Sequence, residues 1–368
     1  MKHLSIMIKP ASSMCNMHCR YCFYTDVSQR RSKLNLGLMS RNTSTTIIKN
    51  IGRVLKPGDS VSFAFQGGEP TLAGLGFFEQ FVGEASTQLG GVKLSWALQT
   101  NGILLDEKWC EFLRKTGFSV GLSIDGDAEL HNQNRLDTGG LGTHAKVLKA
   151  KQLLEHYQVS YNVLCVLTNT LARFPQRIWK FILSENIKYI QFIPCLNELD
   201  SSKSNQWALR PHRFFDFYFG LFQLWQKRTL GGDYISVKLF DDLFNLYVRG
   251  KVTSCGLHGH CQPQIVIEAD GSVYPCDFYA LDPYCAGNAA DIDFQKILNN
   301  LRSSPFFKQP KATNNLCSTC KYSISCGGGC KRMQTSMYFD HDGSCAYYLL
   351  LDNILNDLCH TGLIISSR

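Results

Sequence analysis

The chain has 368 residues, is 44% hydrophobic and carries a formal net charge of +8. That length accommodates one large domain and a smaller one, and that apolar fraction fills a sizeable core, which excludes a disordered chain. The Lys and Arg residues are scattered rather than gathered into a run, so the basic excess reads as solvated surface and not as a nucleic-acid footprint.

In chain order, β-rich apolar runs occur at Leu4 to Ile8, Val61 to Phe65, Leu94 to Leu98, Ser119 to Ile124, Tyr161 to Leu167 and Tyr189 to Ile193. Helix-compatible stretches lie between them, at Ser44 to Leu55, Gly76 to Leu89, Glu107 to Lys115, His144 to Tyr157 and Arg177 to Asn186. The alternation predicts parallel strands with crossover helices, and six such units fall short of a closed barrel. The predicted fold is therefore α/β, a partial (β/α)6 TIM-like barrel spanning residues 1–234, followed by a cysteine-rich domain at 235–368.

A polar or special segment follows every predicted strand: a cysteine loop, then QGGEP at 66–70, QTNG at 99–102, SIDG at 123–126, TNT at 168–170 and PCLNE at 194–198. In parallel α/β folds the ligand site gathers at the carboxyl ends of the strands, so these segments are expected to converge on one mouth. From Ser201 the pattern gives way to a polar stretch, an aromatic helix around Phe214 to Trp225 and a break near 228–234. Beyond it, short irregular elements ordered around metal are expected. That aromatic run is short and interrupted by Asp216, and Lys9 with Pro10 closes the first apolar run, so neither a membrane span nor a signal peptide is read and the expected location is cytoplasmic.

Sixteen cysteines in a reducing compartment point to metal rather than to disulfides. Cys15, Cys19 and Cys22 form C-x3-C-x2-C on the loop after the first strand, followed by Phe23 and Tyr24. Three thiolates at this spacing can hold three corners of a [4Fe-4S] cube and leave one iron open to a small molecule. A zinc site needs a fourth ligand, and the sole neighbour, His18, is too close in sequence to serve comfortably.

The combination of C-x3-C-x2-C, the aromatic pair and the Gly-Gly-Glu-Pro segment resembles the radical S-adenosylmethionine (SAM) enzymes. The resemblance implies that the open iron is chelated by the amino and carboxylate groups of SAM. It further implies that the segment containing Gly67, Gly68 and Glu69 contacts the methionyl amino group. By the same resemblance Ser123, Arg135 and Leu196 line the SAM site, with Tyr21 near the adenine.

The carboxyl-terminal cysteines, together with GSVYPCD and CGGGCKRM, resemble the SPASM extension that follows many radical SAM domains. The resemblance implies two further [4Fe-4S] clusters, making three in all. Cys255, Cys261, Cys276 and Cys330 would hold the nearer one, and Cys317, Cys320, Cys326 and Cys345 the outer one, with Cys359 an alternative to Cys345. Cys110, Cys165, Cys195, Cys285 and Cys359 lack the spacing and read as buried thiols.

Over nearly the whole chain the motifs MIKPASSMCNMHCRYCFY, FAFQGGEPTLAGLGFF, LQTNGILLD, GLSIDG, FIPCL and VYPCDFY resemble the anaerobic sulfatase-maturating enzymes. That resemblance implies oxidation of a Cys or Ser in a sulfatase to Cα-formylglycine: a 5′-deoxyadenosyl radical removes a Cβ hydrogen, a base takes the side-chain proton, and an auxiliary cluster accepts the electron. Asp277, directly after Cys276, matches the proposed base. The implied partners are an unfolded or nascent sulfatase segment with a Cys/Ser-x-Pro-x-Arg motif and an electron donor such as flavodoxin or ferredoxin, with neither nucleic acid nor membrane. Two other readings stand beside this one. A SPASM-bearing maturase that crosslinks peptides commonly has a leading recognition domain, for which fourteen residues leave no room; a zinc-ribbon binding protein is the non-catalytic alternative.

Overall fold

A computed structural model describes residues 1–199, 205–309, 311 and 314–366, with side chains described to residue 363. Part of the polar stretch expected from Ser201 lies outside the described residues. Among the described residues nine strands occur in chain order: β1 His3–Ile8, β2 Ser60–Phe65, β3 Lys93–Thr100, β4 Ser119–Ser123, β5 Tyr161–Leu167, β6 Tyr189–Pro194, β7 Ser236–Val237, β8 Ile265–Ile267 and β9 Val273–Tyr274. Helices Arg41–Gly52, Leu75–Gln88, Glu107–Thr116, His144–His156 and Pro175–Ser184 separate the first six. The parallel alternation read from the sequence is thus present, strand by strand and helix by helix.

The chain divides into two compact units that interleave in sequence. The first comprises Met1–Ser123, Asn132–Tyr161 and Pro263–Gln309. Its strands run in the order β4-β3-β2-β1-β8-β9, all parallel except β9, which returns antiparallel to β8. Strand β1 illustrates the physics: Leu4, Ile6 and Ile8 are buried while Ser5 is exposed, the two-residue alternation of a pleated strand. Aromatic rings fill the space under β2 and β3. Phe63 and Phe118 both stack on Trp96, at 5.3 and 5.8 Å, and Phe81 meets Phe63 and Phe65 edge-on. The helices start where polar caps stand: Ser40 accepts from the Thr43 amide and Asp106 from the Trp109 amide.

Strands β8 and β9 were not read from the sequence. Ile265, Val266 and Ile267 are all buried, and three residues are too few to register as a strand beside the cysteine-rich segments. They matter because β8 lies along β1, with Ile8 opposite Ile267, and Lys9 donates its amide to the Ile267 carbonyl at 2.8 Å. The segment that follows β9, with Cys276 and Asp277, is thereby carried into the same unit as the Cys15–Cys22 loop.

The second unit comprises Ile124–His131, Asn162–Gln262 and Pro310–Arg368. Strands β5, β6 and β7 are parallel here. The aromatic helix runs Pro211–Leu230, beyond the limits expected, and packs Phe217 edge-on against Phe192 of β6 at 4.9 Å. The expectation of short irregular elements after residue 234 is corrected by two helices, Lys238–Arg249 and Ala346–Ser366. In the latter Tyr347, Leu350, Leu351, Ile354 and Leu358 are buried at helical spacing and pack along Pro211–Leu230. This part of the chain therefore has an apolar core of its own beside its cysteines.

Candidate active site and thiol cavity

The cysteine loop leaves β1 through a turn rather than a helix. Ser12 adopts a left-handed conformation (φ 48°), and its carbonyl and that of Met14 accept the amides of Gly68 and Glu69 at 2.8 and 2.7 Å. The two loops lie so close that a Cβ on Gly68 would overlap the Met14 carbonyl, and Gly67 itself needs φ +122°. The backbone amides of Gly68 and Glu69 are thus used on the cysteine loop.

Glu69 is fully enclosed, and its carboxylate is completely engaged. One oxygen accepts from the Thr71 amide, the Thr71 hydroxyl and the Thr100 hydroxyl at 3.0, 2.6 and 2.8 Å; the other accepts from the Asn101 amide at 2.8 Å. Burial raises its pKa despite these donors. Asn101 then reaches the cysteine loop, donating to Asn16 Oδ1 at 2.7 Å and approaching Cys15 Sγ at 3.8 Å. The loops after β1, β2 and β3 are thus tied through one carboxylate.

Cys15, Cys19 and Cys22 are all half-buried. Burial above all, with the nearby Glu69 charge adding, pushes the Cys15 thiol up to about 11. Between the cysteines the backbone pairs with the segment after β4: the amides of His18 and Arg20 donate to Leu136 and Asn134 carbonyls at 2.8 and 3.0 Å. That pairing carries two predicted site residues together, for the buried Arg135 guanidinium lies 5.6 Å from the centre of the Tyr21 ring. Ser123, buried, ends β4 in the same unit. Leu196, also buried, follows β6 in the second unit.

Asp277 stands in a buried charge cluster that the sequence did not disclose. Lys9, 1% exposed, pairs with Asp277 Oδ1 at 2.5 Å and with Glu268 Oε1 at 3.6 Å. Arg31 donates to the same Glu268 oxygen at 2.8 Å and to the Ala280 carbonyl at 2.5 Å. Tyr24 lies between them, its ring 3.7 Å from the Lys9 ammonium and its hydroxyl donating to Glu268 at 2.5 Å. Two cations face two carboxylates, so the cluster is neutral overall. Burial opposes every charge in it, but the Asp277, Tyr24 and Glu268 partners outweigh burial and raise the Lys9 pKa, while Lys9 and Arg31 hold Glu268 below the usual carboxylate range. Phe23, next to Cys22, meets Phe278, next to Asp277, edge-on at 5.1 Å.

In the sequence Lys9 reads as the residue that ends an apolar run, and Glu268 is not singled out. The available signal was a single charge directly after each of two mainly apolar runs, Leu4 to Ile8 and Ile265 to Ile267.

Seven of the eight carboxyl-terminal cysteines lie in the second unit, and Cys276 in the first. Cys317, Cys320, Cys326 and Cys345 line one cavity of about 560 Å³, walled also by Tyr322, Tyr338, Tyr347 and Tyr348. Cys359 does not line it. Burial pushes the Cys326 thiol up to about 11, and the Cys345 sulfur accepts the Tyr348 amide at 3.5 Å, at the first turn of Ala346–Ser366. Tyr338 and Tyr347, both buried to 1% exposure, have their phenols held far above the ordinary range by burial, with nearby phenol and thiolate charge adding. Cys255 and Cys330 lie close together, since a Cβ on Gly256 (φ +88°) would stand 2.7 Å from that of Cys330. Lys311 caps the neighbouring turns, donating to the Gly259 carbonyl at 3.2 Å and to that of Gly327.

The donor sets suit iron-sulfur clusters. Soft thiols, buried at Cys326 and half-buried at Cys317, Cys320 and Cys345, without carboxylate or imidazole competitors in the cavity wall apart from Asp342, favour iron or copper(I) over hard cations. Among the described residues no three His, Cys, Asp or Glu side chains close around a single point, whereas a cavity of about 560 Å³ has room for a polynuclear group. Among the described residues no helix is long and apolar enough to cross a membrane.

Comparison with known proteins agrees with this anatomy. Residues 10–175 match the radical SAM superfamily, and residues 255–321 match an iron-sulfur cluster-binding domain, SPASM. The chain is 41% identical over 351 residues to a cysteine-type anaerobic sulfatase-maturating enzyme of Clostridium perfringens, covering 95% of this chain and 94% of that one. It is 29% identical to a serine-type enzyme of Klebsiella aerogenes, over 88% of this chain and 79% of that one. A solved structure described as native anSMEcpe with bound AdoMet and Cp18Cys peptide superposes with a TM-score of 0.88 at 37% identity, covering 98% of this chain and 99% of that one.

Proposed function

The chain belongs to the anaerobic sulfatase-maturating enzymes of the radical SAM superfamily, and from that premise we propose that it converts a cysteine of a sulfatase segment to Cα-formylglycine with Asp277 as the base. The family's reaction is the oxidation of Cys or Ser to that aldehyde. The cysteine preference rests on 41% identity to a cysteine-type relative against 29% to a serine-type one. SAM and the reduced first cluster, when bound, supply the 5′-deoxyadenosyl radical that takes one hydrogen atom from the substrate Cβ, and an auxiliary cluster accepts the second electron.

The chain's own residues supply the rest. Cys15, Cys19 and Cys22 would hold the first cluster, with the backbone around Gly67, Gly68 and Glu69 and the side chains of Ser123, Arg135, Tyr21 and Leu196 around SAM. Cys317, Cys320, Cys326 and Cys345 would hold one auxiliary cluster, supported by their common cavity. Cys255, Cys261, Cys276 and Cys330 would hold the other. We place the functional boundary between the SAM-binding part and the SPASM part near residue 234.

The observation that carries the base assignment is the Lys9–Asp277 pair. A buried ammonium 2.5 Å from Asp277 Oδ1 fixes the carboxylate in direction, so that it is positioned to accept a proton. Loss of that proton from the substrate thiol, together with loss of a Cβ hydrogen atom and one electron, leaves a thioaldehyde, which water converts to the aldehyde and hydrogen sulfide. Tyr24, Glu268 and Arg31 hold Lys9 in place and keep water out.

The proposed substrate is an extended Cys-x-Pro-x-Arg segment, the donor a flavodoxin or ferredoxin, and the location cytoplasmic. Mass spectrometry of a Cys-x-Pro-x-Arg peptide and its Ser twin, after anaerobic incubation with loaded enzyme, SAM and reductant, tests the function. Faster conversion of the Cys peptide to a hydrazine-trappable aldehyde is expected. A new intramolecular crosslink would favour the peptide maturase instead. For the base, Asp277→Asn is expected to keep deoxyadenosine release within about threefold while lowering aldehyde formation about 100-fold, the usual worth of a general base. Full aldehyde yield in that variant would sink the assignment.

A further inference from the structure

In the thiol cavity one polar group has no protein partner. Tyr347 lines it, 1% exposed, and its hydroxyl makes no hydrogen bond with any described residue. A buried donor left unmet is rare, because interiors satisfy nearly all of them. Nor is the ring free to turn away. It stands in the first turn of Ala346–Ser366, 4.9 Å from the Tyr338 ring and 6.5 Å from that of Phe214. Elsewhere in the wall the Tyr322 hydroxyl reaches Asp352 at 3.5 Å, and the Tyr348 backbone amide donates to Cys345 Sγ.

On the reading that Cys317, Cys320, Cys326 and Cys345 hold a cluster, we propose that the Tyr347 hydroxyl is a hydrogen-bond donor to a sulfur of that cluster. Its role is positioning and tuning, since it ligates no iron. Reduction adds negative charge to the sulfurs, so a donor aimed at them stabilises the reduced form more than the oxidised one and raises the potential. A higher potential suits a cluster that receives an electron from the substrate.

The test is an EPR-monitored redox titration of the anaerobically loaded enzyme. In Tyr347→Phe, one cluster transition is expected to move to more negative potential. A tenfold fall in the equilibrium for reduction corresponds to 59 mV for one electron, and the remaining transitions should stay where they are. Tyr322→Phe, whose hydroxyl already has a partner, is expected to shift nothing. An unchanged potential in Tyr347→Phe, or an equal shift in Tyr322→Phe, overturns the proposal. Should Tyr347→Phe load poorly, 3-fluorotyrosine placed at position 347 offers a stronger donor of nearly the same shape. The same transition should then move to more positive potential, and no movement overturns the proposal. Iron and sulfide analysis separates this proposal from the reading beneath it. Parent enzyme whose cluster content is unaffected by Cys345→Ala removes the four-cysteine cluster and the inference with it, whereas a Cys345-dependent cluster whose potential ignores position 347 removes the inference alone.

Discussion

The Cys15–Cys22 loop and the thiol cavity are both built from cysteines, yet they are held by different forces. The loop is fixed by hydrogen bonds and charge: Glu69 accepts four donors from the neighbouring loops, Asn101 reaches across to Asn16, and Lys9, Arg31, Glu268 and Asp277 form a neutral buried set close by in sequence to the loop and to Cys276. The cavity is fixed by aromatic rings and a helix terminus, with Tyr338 and Tyr347 packed at a tilt in its wall and the Tyr348 amide donating to Cys345. A directional polar frame suits a site that must orient a substrate and move a proton. An apolar, ring-lined frame suits one that must hold electrons and exclude water.

Four substitutions can break or sharpen that contrast. The largest effect is expected of Gly68→Ala. Its added carbon has no room against the Met14 carbonyl, so the two loops must part. Deoxyadenosine release is expected to fall at least about 100-fold, the scale on which small displacements of reacting groups act. Iron at the cavity should be unaffected. Loss of iron from both places would show that the two regions are not independent.

Next in size, Cys345→Ala is expected to remove one cluster's share of iron and sulfide while leaving SAM cleavage measurable, and Cys359→Ala to remove none. Cys345 lines the cavity and Cys359 does not. Iron analysis after anaerobic loading reads both. The reverse result would place the fourth ligand at Cys359.

The smallest effect concerns stability. Lys9→Met leaves Asp277 without its cation and Glu268 with Arg31 alone, and removing one partner of a buried ion set costs about 3 kcal/mol. A lower urea midpoint with unchanged slope would report it. The sign with pH follows from the shifts. Glu268 is held below its ordinary range, so its contribution is present above that range and is lost as pH falls into the acid; Lys9 is raised, so its contribution is lost only as pH climbs beyond the ordinary lysine range. Wild type and Lys9→Met should therefore converge in stability as pH falls below the ordinary glutamate range. Equal stability of the two at neutral pH would mean the cluster contributes nothing to folding.

The sequence made the six strands, their helices and the cysteine spacings legible because each is a local pattern: two-residue alternation, a capped amphipathic run, thiols on one loop. Glu69, by contrast, was read with the ligand-binding glycines, and only the fold reveals that its carboxylate is consumed by Thr71, Thr100 and Asn101. The Lys9 cluster was hidden for the same reason, since its members are separated by up to 268 positions and meet through β8, a strand of three residues. Short strands and long-range charge pairs leave little periodic trace. The last helix, Ala346–Ser366, did leave one, in its buried residues at three- and four-residue steps, but dense cysteines nearby pointed elsewhere.

The seat of β8 beside β1 also sets a schedule for synthesis. On one side β1 gains β2 once residue 65 is made; on the other its backbone groups have no neighbour until β8 arrives at residues 265–267. At ~5–20 residues per second, those 200 residues take about 10–40 s to translate. Throughout that interval the nascent chain presents an open strand edge, the kind of surface on which chains misassociate, and lacks both Glu268 and Asp277. Lys9 waits as long for its carboxylates. The segment with the proposed base is consequently among the last parts of the first unit to exist, and until then the cysteine loop rests on an unfinished sheet.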